Sequence, residues 1–172
     1  MKRVMNRREL VQLFAGAALA LQLPAADPSA PLFFTKDEYA LLDQLTELII
    51  PTDDHSPGAK VAGVAAYIDR TAAEAVDPED RNSWRNGLKE VDQLSASLHG
   101  RSFLQTSPEQ QIATLQKMSA NEKKPTTVEE KFFTQLKQST AFAYYSSSIG
   151  IHQDINYKGN VILQEFVGIA VS

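Results

Sequence analysis

Four signals for the start of an α-helix constrain the fold of this chain more than any other feature. Each places a side chain that can cap a helix directly before a segment with helical apolar spacing. They are Thr35 with Glu38, Asp77 with Pro78, Ser107 with Pro108, and Thr127 with Glu130. In the first and last pairs each side chain can accept a hydrogen bond from the other residue's backbone N–H, and in the middle pairs proline takes the favoured first helical position. These starts predict a mostly helical chain.

Apolar residues at steps of three and four follow each start, as expected when one helix face is buried. A further helix is predicted between the first two starts. The predicted helices are Leu32–Ile50, Ala59–Val76 with Val61 on its buried face, Asp77–Gly100 with Leu98 in its apolar stripe, a fourth from Ser107 that includes Ile112, and a fifth from Thr127 to Tyr145. Beyond Tyr145 the sequence predicts irregular structure with one short strand near Val161–Leu163. The predicted fold class is mostly α, a single helical bundle of about five helices with an irregular C-terminal tail.

The first 26 residues have the pattern of an export signal. Lys2, Arg3, Arg7 and Arg8 precede a weakly apolar run of 14 residues, Leu10–Leu23. A run of that length is shorter than the roughly 20 residues needed to span a bilayer. Residues 27–31 then form a linker, and residues 32–172 form the helical domain. The alternative is that Met1–Ala26 forms an amphipathic helix of the domain itself.

The adjacent pair Arg7-Arg8 makes the export prediction more specific. The segment Asn6–Val11 resembles the twin-arginine export motif, although Asn6 and Leu10 replace the residues usual at those positions. The twin-arginine route exports proteins that have already folded, often around a cofactor. The sequence therefore predicts a periplasmic location and raises the question of which cofactor is involved.

Composition excludes several kinds of site. The chain has no cysteine, which removes disulfides, zinc–thiolate sites, Fe–S clusters, thiol nucleophiles and Cys-x-x-Cys-His haem attachment. The net charge of −4 argues against binding nucleic acid through phosphates. Neither a glycine-rich phosphate loop nor a Gly-x-Ser-x-Gly nucleophile motif occurs in the sequence.

Three histidines remain as candidate metal ligands. His55 follows Asp53 and Asp54, and His152 lies two residues before Asp154, so two histidines and carboxylates could hold iron or zinc. A polar turn with exposed side chains explains the same residues, and His99 suits the negative end of a helix dipole. We therefore assign no catalytic, cofactor-binding or metal-binding residue to this chain. A signal for folded export on a domain without a visible cofactor site suggests that the cofactor belongs to a partner.

Short motifs in a fixed order give the chain a family resemblance. They include Leu48–Asp53, Ser56–Ala59, Tyr67–Asp69, Gly87-Leu88, Gly100–Phe103, Ser107–Gln110, Phe132–Leu136, Tyr144–Ser147, Ile149-Gly150 and Tyr157–Asn160. With these motifs the chain resembles the gluconate 2-dehydrogenase subunit 3 family, the small or gamma subunits of periplasmic flavin-dependent sugar and polyol dehydrogenases. The resemblance extends from about Leu32 to Val167.

The resemblance implies a non-catalytic accessory subunit. Its expected partners are a glucose–methanol–choline-type flavoprotein that carries FAD and lacks its own signal, and a cytochrome c subunit that carries haem c. The tail Tyr144–Asn160 resembles forms whose partner oxidises glucosides at carbon 3, as in a glucoside 3-dehydrogenase gamma subunit.

Two segments are predicted to contact the partner, the turn Pro51–Ala59 and the tail Tyr144–Asn160, because neither continues an apolar stripe. The candidate interface residues are Pro51, Gly58, Tyr144, Tyr145, Tyr157, Gly159 and Asn160. The alternative is that the rings of Tyr145 and Tyr157 cap the end of the bundle. Two other functions remain open: an independent periplasmic metal protein or enzyme that uses Asp53, Asp54, His55 and His152, and a stand-alone binding or structural domain.

Overall fold

The computed structural model describes residues 30–157 and residue 159, and the helical domain begins at Pro31. The helices of this part of the chain are α1 (Lys36–Ile49), α2 (Val64–Glu74), α3 (Pro78–His99), α4 (Pro108–Ser119) and α5 (Val128–Tyr145). A 3-10 turn, Phe103–Gln105, joins α3 to α4, and a π-helical turn, Gly150–Asp154, follows α5. The described residues contain no strand, so the mostly α prediction is confirmed. The strand predicted near Val161 lies outside these residues.

All four predicted helix starts are present. The capping boxes at Thr35 and Thr127 form with both of their reciprocal hydrogen bonds, and Ser107 forms a third box with Gln110. The Asp77 side chain accepts a hydrogen bond from the backbone N–H of Glu79. These bonds satisfy N–H groups that a helix leaves unpaired in its first turn, which is why short sequence signals located the starts correctly.

The predicted start of the second helix at Ala59 is wrong. Residues 59–63 form turns, and α2 begins at Val64 because Gly63 adopts a left-handed conformation with φ of 70°. Glycine enters this region without steric cost, so it can redirect the chain into the helix.

Three residues predicted to be buried are instead exposed: Val61 at 62%, Leu98 at 46% and Ile112 at 47%.

Helix α5 lies at the centre of the domain and contacts the other four α-helices. Its Phe132 ring packs edge-on against Trp84 of α3, with ring centroids 5.7 Å apart. A Cβ at Gly87 would overlap the Phe132 ring, so glycine at this position allows α3 and α5 to approach closely. The bundle therefore depends on a small residue facing a large aromatic one.

A buried carboxylate anchors the point where the chain enters the bundle. Asp69 of α2 is only 3% exposed. Its Oδ2 accepts a hydrogen bond from the backbone N–H of Leu32 at 2.6 Å, and its Oδ1 accepts from Phe33 and Phe34 at 3.0 Å each. Three N–H donors compensate the cost of burying this polar group. The anchor fixes the first residues of the domain on α2.

Candidate protein interaction site

The two segments predicted to contact a partner lie together at one end of the bundle. The chain leaves α1 into the loop Pro51–Ala59, and it leaves α5 into the π-helical turn Gly150–Asp154. The loop contacts the end of α5 through Ser56 and Pro57, which bind the hydroxyl of Tyr144. It contacts the π-helical turn through His55, whose Nε2 lies 3.3 Å from Oδ1 of Asp154. The fold thus joins segments that are about ninety residues apart in sequence.

Glu47, in the last turn of α1, organises the loop. Its carboxylate accepts hydrogen bonds from the backbone N–H and the hydroxyl of Thr52, both at 2.9 Å, and from the backbone N–H of Lys60 at 2.9 Å. Partial burial by itself would raise the pKa of Glu47, but these hydrogen bonds outweigh it and lower the pKa below its usual value. The charged side chain of Glu47 therefore holds the two ends of the loop together.

A second carboxylate closes the tip of the loop. Asp53 Oδ1 accepts hydrogen bonds from the backbone N–H groups of His55 at 2.8 Å and Ser56 at 2.9 Å. The backbone N–H of Asp53 in turn donates to the carbonyl oxygen of Ser56 at 3.1 Å. The two hydrogen bonds to Asp53, with that from Ser56 the stronger contributor, lower the pKa of this exposed carboxyl. Asp53 has the role of a turn-forming residue.

The loop folds back so closely on itself at Gly58 that a larger residue would not fit there. A Cβ there would overlap the backbone nitrogen of Thr52 and would lie 2.7 Å from both the carbonyl carbon of Pro51 and Oε2 of Glu47. The Gly58 N–H donates to the Thr52 hydroxyl at 2.9 Å. Gly58 is buried, so it allows the loop to fold and does not itself offer a surface to a partner.

Tyr144 is also buried within this domain. The residue is fully inaccessible, and its hydroxyl donates to the carbonyl oxygen of Pro57 at 2.7 Å and forms a second, short hydrogen bond with Ser56 Oγ. It therefore ties the end of α5 to the loop rather than presenting its ring to a partner. Of the other candidates, Pro51, Tyr145, Tyr157 and Gly159 are exposed, and Asn160 lies outside the residues that the structure describes.

Tyr145 connects the end of α5 to the π-helical turn. Its ring packs edge-on against Tyr144 with centroids 5.2 Å apart, while 46% of the residue remains exposed. Burial, the negative charge of Asp154 and a side-chain hydrogen bond with Asp154 together raise the pKa of Tyr145 above its usual value. Tyr145 thus combines a fixed orientation with an exposed aromatic surface, as interface tyrosines commonly do.

Among the described candidate metal ligands, the structure brings one histidine next to a carboxylate, His55 next to Asp154. His55 Nε2 lies 3.2 Å from the carbonyl oxygen of Asp154 as well as near its carboxylate. His152 Nδ1 instead lies 3.3 Å from the carbonyl oxygen of Tyr157, and His99 Nε2 lies 3.2 Å from the Thr114 hydroxyl. Within residues 30–157 and 159, no three His, Cys, Asp or Glu residues are arranged to hold a metal ion.

Sequence reasoning missed two exposed aromatic residues beside this site. Tyr67 on α2 is 40% exposed and Phe142 on α5 is 62% exposed, and their ring centroids lie 6.1 Å apart. The apolar stripe of α5 contains Phe132, Phe133, Leu136 and Ala143, and Phe142 falls outside it. This position off the stripe could have predicted from the sequence that Phe142 is exposed. Single exposed apolar residues are common on protein surfaces, so the informative observation is that these two exposed rings are in contact with each other.

An open groove of about 900 Å³ lies between α1, α3 and the 3-10 turn. Three of its charged side chains have roles in the domain itself. Glu38 completes the capping box of α1, Arg85 donates to the carbonyl oxygen of Phe33 at 2.7 Å, and Asp92 accepts from the backbone N–H of Phe103 at 2.9 Å. These roles make the groove a weaker functional candidate than the end of the bundle.

Across residues 30–157 and 159, none of the helices combines the length and apolar character needed to cross a membrane.

A comparison with known protein families gives a match to most of the chain. The family described as gluconate 2-dehydrogenase subunit 3 matches residues 36–161, from the start of α1 to beyond the π-helical turn. The match confirms the family resemblance found in the sequence. It includes both segments of the candidate site. Neither the curated proteins nor the solved structures contain a match to the chain.

Proposed function

Because the chain belongs to the gluconate 2-dehydrogenase subunit 3 family, we propose that it is a non-catalytic accessory subunit of a flavin-dependent sugar or polyol dehydrogenase complex. The family match over residues 36–161 is the observation that carries this proposal. The family name describes a subunit, so it implies a complex with other chains. The match spans all five α-helices, which makes the whole helical domain the unit that would join the complex.

The roles of the carboxylates support an accessory function. Glu47, Asp53, Asp69 and Glu130 each accept two or more hydrogen bonds from backbone N–H groups. A carboxylate held in this way stabilises a loop or a helix start and is poorly placed for proton transfer to a substrate. In the proposed complex, a glucose–methanol–choline-type flavoprotein supplies FAD and the catalytic residues, and a cytochrome c subunit with haem c accepts the electrons.

Export is the second part of the proposal. The segment Met1–Ala26 carries the twin-arginine-like pair Arg7-Arg8, and these residues lie outside the part of the chain that the structure describes. We assign to this segment the export of the assembled pair to the periplasm, with the large subunit carried out on the signal of the small one. Arg7→Lys together with Arg8→Lys keeps the charge but removes both guanidinium groups. The processed protein is expected to disappear from the periplasm, whereas normal export would contradict the twin-arginine assignment.

Purification from the native cell tests the accessory role. The chain, carrying an affinity tag after Ser172, is captured from the periplasmic and membrane fractions, and the absorbance spectrum and subunit masses of the product are measured. The expected product contains flavin and a larger subunit, and haem if the cytochrome is retained. A colourless single chain with stoichiometric metal would support the independent metal protein instead, and a colourless, metal-free single chain would support the stand-alone domain.

A further inference from the structure

Two charged side chains hold the segment through which the chain enters the bundle. We call this arrangement the entry clasp: Asp69 of α2 and Arg85 of α3 around residues 32–34. Asp69 accepts hydrogen bonds from the three backbone N–H groups of these residues at 2.6–3.0 Å. Arg85 donates through Nη2 to the carbonyl oxygen of Phe33 at 2.7 Å, and its guanidinium lies 4.5 Å from the centroid of the Phe33 ring, a cation–π contact. The clasp therefore binds one short segment to two helices.

The clasp can close only when these helices are in place. Asp69 is 35 to 37 residues away in sequence from its three donors, and Arg85 is 52 residues away from Phe33. The Phe34 ring, which is only 4% exposed, packs edge-on against Trp84 of α3 with centroids 6.3 Å apart. Contacts between such distant parts of a chain form only as its tertiary structure forms. A closed clasp therefore requires that α2 and α3 have already packed.

Opening the clasp would expose an apolar stretch. Leu32, Phe33 and Phe34 are three consecutive large apolar residues, and they directly follow the predicted export signal and linker, residues 1–31. In the closed clasp Phe34 is buried and Phe33 is half-buried. Exposed apolar surface is what distinguishes an incompletely folded chain from a native one. Closure of the clasp therefore removes a mark of incomplete folding from the residues that follow the linker.

We propose that the entry clasp couples export to folding, so that the chain is exported only when the clasp is closed. This inference rests on the proposed export of a folded chain, and it adds the contact by which this chain differs before and after folding. The position of the clasp supports this role, because the helical domain begins at Pro31 and the clasp holds the residues that come next. A core residue elsewhere stabilises the domain without binding this segment.

Arg85 offers a way to open the clasp with little effect on the rest of the bundle. Its side chain is 45% exposed and lies 3.9 Å from a carboxylate oxygen of Glu38, so it does not fill the core. Arg85→Gln removes the charge that binds Phe33, and glutamine suits a helix about as well as arginine. Lys89→Gln is the matched control, because Lys89 is exposed one turn later on α3 and loses the same charge.

Asp69→Asn opens the clasp from α2, and it needs a control for overall stability. Leu136 is fully buried on α5, and shortening its side chain leaves a cavity in the core without removing a clasp contact. Of Leu136→Ala and Leu136→Val, the variant whose urea midpoint is closer to that of Asp69→Asn serves as the control. Comparing the two separates the effect of the clasp from the effect of a less stable domain.

The test combines amide hydrogen exchange at residues 32–34 of the purified chains with the periplasmic fraction of each full-length chain in the native cell. Losing a hydrogen bond to a charged group should accelerate exchange at these residues by about 10-fold or more in Arg85→Gln and Asp69→Asn. The periplasmic fraction of both variants is expected to fall several-fold. Lys89→Gln should be exported like wild type, and the Leu136 control should be exported better than Asp69→Asn.

Four results would overturn the coupling. Accelerated exchange with a wild-type periplasmic fraction would show that export ignores the clasp, and equal losses in Asp69→Asn and its Leu136 control would show that only overall stability matters. Exchange at the wild-type rate in both clasp variants would show that these contacts do not hold the segment. Arg7→Lys with Arg8→Lys is fractionated alongside, because normal export of that variant would contradict the proposed export route and the coupling with it.

Discussion

Replacing Asp69 with asparagine tests whether one buried carboxylate holds the beginning of the domain in place. The substitution keeps the size and shape of the side chain. The remaining amide oxygen can still accept hydrogen bonds from Phe33 and Phe34, which both bind Oδ1 of Asp69. The new NH₂ group then faces the backbone N–H of Leu32, which now lies 2.6 Å from Oδ2. Two donors cannot bind each other, so the bond from Leu32 is lost.

The magnitude follows from these three contacts. A hydrogen bond to a charged group contributes roughly 1.5–3 kcal/mol, and loss of the charge removes about half of that from a bond that remains. Losing the Leu32 bond and weakening the bonds from Phe33 and Phe34 should together reduce the free energy of unfolding by about 3–6 kcal/mol. For a domain of this size, that loss lowers Tm by roughly 10–20 °C.

Urea and thermal unfolding of the purified chain measure the effect, with Glu74→Gln as the matched control. Glu74 is an exposed residue of the same helix, and its substitution removes the same charge. The control should stay within about 0.5 kcal/mol of wild type. Amide hydrogen exchange at residues 32–34 should accelerate in Asp69→Asn alone. A change in stability no larger than that of the control, with protection at residues 32–34 retained, would refute the reasoning.

Three further changes test the loop beside the candidate site. Gly58→Ala should cost about 1–3 kcal/mol in urea unfolding, because its Cβ has no room against the backbone of Thr52; wild-type stability would contradict the tight loop. Tyr144→Phe should cost about 1–2 kcal/mol, because the carbonyl of Pro57 loses a buried donor; an unchanged Tm would show that this bond contributes little. The pKa of Glu47 is lowered in the folded state, so its stabilising effect is complete above its usual pKa of 4.5 and is lost as the pH falls through the folded value. The stability difference between wild type and Glu47→Gln should therefore be constant from pH 7 to about 5 and shrink below pH 4.5, and a difference that grows on acidification would contradict the assigned hydrogen bonds.

The helix starts were predictable from the sequence because their cause is local. Thr35 with Glu38 and Thr127 with Glu130 satisfy backbone groups within three residues of themselves, and no distant contact is needed to specify them. The start of α2 was missed for a local reason of another kind. Gly63 adopts a left-handed conformation. Glycine permits this conformation, but a glycine in the sequence does not by itself show that the conformation is used.

The candidate site was only partly predictable because its contacts are distant in sequence. The composition of the two segments indicated that neither continues the apolar stripe of a helix. It could not show that the hydroxyl of Tyr144 binds the carbonyl oxygen of Pro57, which is 87 residues away. Asp69 could have been recognised as a charged residue among Ala65, Ile68 and Ala72 on the buried face of α2, although its partners near Leu32 could not. The exposure of Phe142 likewise depends on which side of α5 the other helices cover.

The most direct test of the carrier role compares two quantities in a strain whose chain lacks residues 1–26. Periplasmic flavin and periplasmic dye-reducing activity towards sugars or polyols are measured side by side, and immunoblots of whole cells report the total amount of both subunits. The account predicts that both subunits remain in the cytoplasm and that flavin and activity fall together, with unchanged turnover per bound flavin in whatever enzyme is exported. Full amounts of flavin and of the large subunit in the periplasm of the deletion strain would contradict it.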